Sequence, residues 1–68
     1  MNQKEQVLNH MAAKGSITQK DASDEYGIMR LASRISDLKK LGYGINTVME
    51  AGRNRYGVTT YYARYSLR

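Results

Sequence analysis

Ile28-Met29-Arg30-Leu31-Ala32-Ser33-Arg34-Ile35-Ser36-Asp37-Leu38-Lys39-Lys40-Leu41-Gly42 is the stretch on which the fold turns. Ile28, Leu31, Ala32, Ile35 and Leu38 recur at the three- and four-residue spacing of one helical face, and Gly42 is the residue type that ends a helix. A helix is therefore predicted from about Ile28 to Leu41. Successive residues lie roughly 100° apart around the axis, which sets Arg30, Ser33, Asp37 and Lys40 opposite the apolar stripe and Arg34 at its border. The helix has one side to bury and a polar, basic side to offer a polyanion.

Toward the N-terminus, Gly27 closes a shorter predicted helix from Gln19 to about Tyr26, with Ala22 and Tyr26 one turn apart on its inner side. Thr18-Gln19-Lys20-Asp21 has the pattern of a capping box, with aspartate where glutamate is commoner. Ile17, in the β-branched stretch Ser16-Ile17-Thr18, is expected to point inward beside that cap. Before it, Val7, Leu8 and Met11 form the stripe of a first amphipathic helix from about Gln3 to Ala13, and Lys14-Gly15 supply a basic last turn and a stop.

Beyond Gly42 the texture changes. Ile45–Met49 and Val58–Tyr65 are rich in β-branched and aromatic residues, the signature of two strands joined as a hairpin. The connecting Ala51-Gly52-Arg53-Asn54-Arg55-Tyr56-Gly57 is too long for a two-residue turn and is expected to project as a mobile basic loop. Period two groups Tyr61, Ala63, Tyr65 and Leu67 toward the core and Thr60, Tyr62, Arg64 and Ser66 outward.

A chain of 68 residues holds one domain with a thin core, and no repeat, proline or low-complexity tract divides it, so residues 1–68 read as a single continuous domain. With 41% hydrophobic and 25% charged residues it has the composition of a folded protein. Without cysteine there is no disulfide framework and no thiolate metal site, so packing or a partner must hold the fold. Eleven Lys and Arg against six Asp and Glu leave a net charge of +5, which favours a polyanionic partner. No apolar run suits a secretory segment or a membrane span, and the expected place is a bacterial cytoplasm, on the nucleoid. His10 is the only histidine and is read as a surface helix residue; the acids are scattered, and no phosphate-cradling glycine loop occurs. An enzyme, a metal, a cofactor and a small-molecule ligand are all unsupported by this pattern.

Three helices followed by a two-stranded antiparallel hairpin, with a short second helix, a tight turn and a basic third helix, give an α+β fold in the order of a winged helix-turn-helix domain. The segment Tyr26–Leu38 with Leu41-Gly42-Tyr43-Gly44-Ile45 resembles the winged helix-turn-helix family found among small phage and prophage proteins. The resemblance spans Val7 to Leu67 and is densest from Arg30 to Ile45. It implies double-stranded DNA binding by a phage or prophage transcriptional regulator or recombination accessory factor.

On that reading the third helix enters the major groove and the basic wing lies on the minor groove or backbone. Arg30 is placed to grip guanine, Ser33 a base, and Lys40 a phosphate. Arg34 is equally suited to a base contact and to an ion pair with Asp37. Arg53, Asn54 and Arg55 concentrate hydrogen-bond donors at the wing tip. A protein-interaction module such as an antirepressor, docking on a regulator or on itself, is the rival reading. Binding of single strands or RNA through Tyr62 and Arg64 is a third.

Overall fold

The chain, described over residues 1–68 by a computed structural model, begins its first helix where Asn2 accepts a hydrogen bond from the Glu5 amide at 2.8 Å. This helix, α1 (Gln3–Lys14), ends at Gly15, whose φ of 93° lies in the left-handed region. A two-residue strand, β1 (Ile17–Thr18), leads directly into α2 (Gln19–Tyr26). The capping box at the start of α2 is complete: Thr18 Oγ1 accepts from the Asp21 amide at 3.2 Å, and Asp21 Oδ2 accepts from the Thr18 amide at 3.1 Å.

Next come α3 (Leu31–Lys40) and a hairpin of β2 (Ile45–Arg53) and β3 (Thr59–Leu67). The end of α3 is a Schellman motif, in which the Tyr43 amide donates to the Leu38 carbonyl and the Gly42 amide to that of Lys39. Gly42, at φ 103°, thus closes the helix as its residue type predicts.

Val7 and Met11 of α1, Ile17 of β1, Ala22 of α2, Leu31, Ile35 and Leu38 of α3, and Ile45 of β2 meet in one buried cluster. Ile28 joins them from the α2–α3 turn and is fully buried. Leu8, Tyr26, Tyr65 and Leu67 pack around the edge of this cluster.

Several expectations need correction. The third helix starts at Leu31 rather than Ile28, because the left-handed Gly27 (φ 66°) turns the chain and the Ile28 amide is spent on the Ala22 carbonyl. Ala32 is exposed, since a single methyl is too small to fix which way a helix faces. The sheet has three strands, not two. Its order is β1-β3-β2, with Ile17 opposite Tyr65 and Thr18 opposite Arg64, and β1 is too short to show any periodicity.

The hairpin strands are longer than predicted and pair without interruption from Ile45–Leu67 to Arg53–Thr59, so the connecting loop shrinks to residues 54–58. Tyr61, expected in the core, is 72% exposed: the outer half of the hairpin runs past the helices, in a molecule measuring 38 × 22 × 20 Å. His10 is buried rather than on the surface. Its Nδ1 lies 2.8 Å from Tyr26 Oη and 3.2 Å from Glu25 Oε2, tying α1 to the end of α2.

Candidate nucleic-acid interface

The α2–α3 turn is clamped by one side chain. Gln19 Nε2 donates to the Ile28 carbonyl at 2.7 Å, while its Oε1 accepts from the Leu31 amide at 2.9 Å. Leu31 is the first residue of α3, and its amide is one of the orphan donors that an N-cap side chain ordinarily satisfies. Here the N-cap is Arg30, whose side chain makes no capping bond. Its guanidinium is left exposed at the mouth of the turn beside Met29, which is 75% exposed.

Along α3, burial of Leu31, Ile35 and Leu38 turns Ala32, Ser36, Lys39 and Lys40 outward. Ser33 is half-buried, as are Arg34 and Asp37. Arg34 Nη2 sits 3.4 Å from Asp37 Oδ2, the i, i+3 ion pair that was one of its two readings, and Arg34 Nε is buried without a hydrogen-bond partner. The outward face of α3 is thus Ala32, Ser36, Lys39 and Lys40, with Arg30 at its head. Spacing alone does not single out Ser36 and Lys39, because counting Ala32 in the apolar stripe swings the inferred outer face toward Ser33 and Asp37.

At the wing, Arg53 closes β2 opposite Thr59, and Arg55 reaches back over the Tyr56 ring, 5.9 Å from its centroid. Asn54 also builds the turn, through its Oδ1 and backbone, and its Nδ2 group stays free to donate. Its Oδ1 accepts from the amides of Tyr56 (2.9 Å) and Val58 (3.1 Å), its own amide donates to the Val58 carbonyl, and its carbonyl accepts from Gly57. The tip is therefore a hydrogen-bonded turn with two arginines on it. Between the wing and the start of α2 lies a groove of about 490 Å³ lined by Gln19, Lys20, Arg53, Tyr62 and Arg64. It brings Arg53 beside α2, a neighbourhood no local pattern announces.

The electrostatics separate two kinds of cation. Lys20 pairs with Asp24 at 2.9 Å, and Arg64 is held by Glu50 and Ser16, each at 2.8 Å. The Arg64 hydrogen bond holds the Glu50 carboxyl below its ordinary range, and Asp24 raises the Lys20 ammonium above its own. Asp21, Glu25 and Asp37 are likewise engaged by Thr18, His10 and Arg34. Arg30, Lys39, Lys40, Arg53 and Arg55 are all exposed and have no carboxylate partner.

No group of three His, Asp or Glu side chains is arranged to hold a metal ion, and no helix is long and apolar enough to cross a membrane. Neither the curated proteins nor the solved structures contain a match to this chain. A family model described as "Winged helix-turn-helix domain" matches residues 2–68. The helix pair clamped by Gln19, the basic outer face of α3 and the arginine-tipped hairpin are the parts that such a domain names, and the chain belongs to the winged helix-turn-helix domain family.

Proposed function

We propose that this domain binds duplex DNA, with the outer face of α3 in the major groove and the wing tip against the flanking minor groove or backbone. The observation that carries the reading is the sorting of charge. Five of the six side-chain carboxylates, all but that of Glu5 on α1, have a local partner, while Arg30, Lys39, Lys40, Arg53 and Arg55 stay unpaired on the two elements that this fold presents to DNA. Arg30 is the residue proposed to read a base, because it stands at the N-terminal end of α3 with its side chain released from capping. Lys39, Lys40, Arg53 and Arg55 are proposed to hold phosphates, together with the exposed Ser36 hydroxyl.

Arg34, occupied by Asp37, supports α3 from the side. The half-buried Ser33 is displaced by Ser36 as the serine nearest the groove. Within this reading, the resemblance to small phage and prophage proteins supports a role in transcription control or recombination in a bacterial cytoplasm.

The test is equilibrium binding to a random-sequence duplex across a salt series. Affinity that falls linearly with the logarithm of salt concentration supports the proposal. Absence of binding at low salt, with recovery of a bound regulator protein instead, overturns it in favour of the antirepressor reading.

A further inference from the structure

In the sheet order β1-β3-β2, strand β2 is an edge, and it is nine residues long. Its inner side is fixed by two hydrogen bonds at its ends: the Arg68 amide donates to the Gly44 carbonyl at 3.0 Å, and the Asn54 amide to the Val58 carbonyl at 3.1 Å. Both bonds belong to the register that pairs Ile45 with Leu67 and Arg53 with Thr59. In an antiparallel ladder hydrogen-bonded pairs alternate, so even-numbered residues of β2 bond to β3. The N–H and C=O groups of Thr47, Met49 and Ala51 therefore point away from the sheet into solvent, while Ile45 at the start of the strand is buried.

Natural sheets blunt such edges with lysine, proline, bulges or a covering element. β2 lacks these, and its two charged residues are Glu50, already bonded to Arg64, and Arg53 at its outer end. Its one-to-one register leaves no bulge, its sequence Ile-Asn-Thr-Val-Met-Glu-Ala-Gly-Arg has no proline or lysine, and Val48 and Met49 at its centre are 55% and 63% exposed.

We propose that this edge pairs antiparallel with the same strand of a second copy, with Val48 on the two-fold axis. The occupant follows from the strand's complementarity to itself. Only registers that set odd residues opposite odd ones let the outward backbone groups pair. With Val48 on the axis, Val48 packs on its symmetry mate, Thr47 faces Met49 of the second copy, and Asn46 faces Glu50 of the second copy.

The last contact matches donor to acceptor. Asn46 Oδ1 already accepts from Arg68 Nε at 2.9 Å, leaving the Asn46 Nδ2 hydrogens to donate. Glu50 Oε1 accepts from Arg64 Nε at 2.8 Å, leaving Oε2 to accept. Centring on Glu50 would oppose like carboxylates. Centring on Met49 would set Val48 against Glu50 and Asn46 against Gly52, losing both matches. The pairing joins two sheets into one of six strands, leaves each wing tip at an outer end, and stands apart from the DNA reading.

Single-cysteine variants test it, because the chain has no cysteine of its own. A non-hydrogen-bonded antiparallel pair has its Cα atoms about 4.5 Å apart, within reach of a disulfide. Under mild oxidation, Val48→Cys is expected to form a covalent dimer on the order of tenfold faster than Met49→Cys, whose mates are offset by two residues and lie beyond the ~7 Å limit. Ala12→Cys, on the exposed side of α1, gives the background rate. Equal rates at all these positions would overturn the register and the proposal with it.

Sedimentation equilibrium of the unmodified chain should show a monomer–dimer equilibrium. Val48→Lys, with an unchanged far-ultraviolet spectrum, should weaken it by about tenfold or more, since two ammonium groups meet on the axis. An unmodified chain that sediments as a monomer up to its solubility limit also overturns it.

Discussion

At the scale of single residues, what each polar side chain does is decided by whether a neighbour has already claimed it. Arg30 is unclaimed, and Arg30→Ala should cost about 1–3 kcal/mol at a selected DNA site while changing binding to random duplex little, as measured by competition titration. Equal losses on both DNAs would reassign it to a phosphate. Glu50 is claimed by Arg64, and that bond keeps the folded carboxyl charged at pH values where an unfolded glutamate, near 4.5, takes up a proton.

The unfolded chain binds more protons in that window. The contribution of the pair is therefore complete above pH 4.5 and is lost as pH falls through the lowered folded value. An acid denaturation series on Glu50→Gln should show a shallower loss of stability over that range than the unmodified chain.

Legibility at this scale followed distance along the chain. The Arg34–Asp37 pair and the Thr18–Asp21 box lie within one helical turn and are visible in sequence. The Gln19 clamp reaches 12 residues ahead and the His10–Tyr26 contact 16, so no local spacing could betray them. The turn-forming role of Asn54 is a local signal, an asparagine three residues before Gly57 (φ 76°), and it accompanies rather than replaces the side-chain donor.

At the scale of elements, the helices were legible and their facing less so. Large aliphatic residues at Leu31, Ile35 and Leu38 specify the buried side of α3, whereas Ala32 carries too little apolar surface to choose, and the outer face turned with it. The strands extended further than their β-branched centres because cross-strand pairing carries Gly52 and Arg53 along with it. The wing that results is a paired ribbon capped by a bonded turn.

Its arginines are accordingly held at a fixed end rather than scattered on a loose loop. Replacing Arg53 and Arg55 together with alanine should weaken binding to all sequences alike. It should also lower the slope of log affinity against log salt by roughly 1 for each phosphate contact removed. A slope unchanged from the parent would put the wing off the DNA.

At the scale of the whole molecule, the fold is carried by a cluster of nine buried residues, and the outer hairpin adds little to it. A domain of this size has a total stability of only about 3–10 kcal/mol, by the usual per-residue yield. Leu31→Ala, at a site 1% exposed, is therefore expected to remove about 2–5 kcal/mol and leave a substantial unfolded fraction, read by thermal melting followed in the far ultraviolet. An unmoved melting curve would mean that the cluster repacks around the loss.

The class of fold was legible at this scale because three helical periods and two β-branched runs occur in a fixed order. The third strand was not, since a pair of residues acquires strand geometry only when Tyr65 and Arg64 arrive from the far end of the chain.

The clamp made by Gln19 has a consequence for how such a domain can change over generations. Helix starts ordinarily confine the capping position to a few small polar residues. By satisfying the Leu31 amide from across the turn, Gln19 lifts that restriction from position 30, and Met29 before it faces solvent. Two adjacent positions at the head of the surface proposed to face DNA are thereby open to nearly any side chain at little cost to folding. New target preferences can be sampled there by single mutations, with the scaffold left intact.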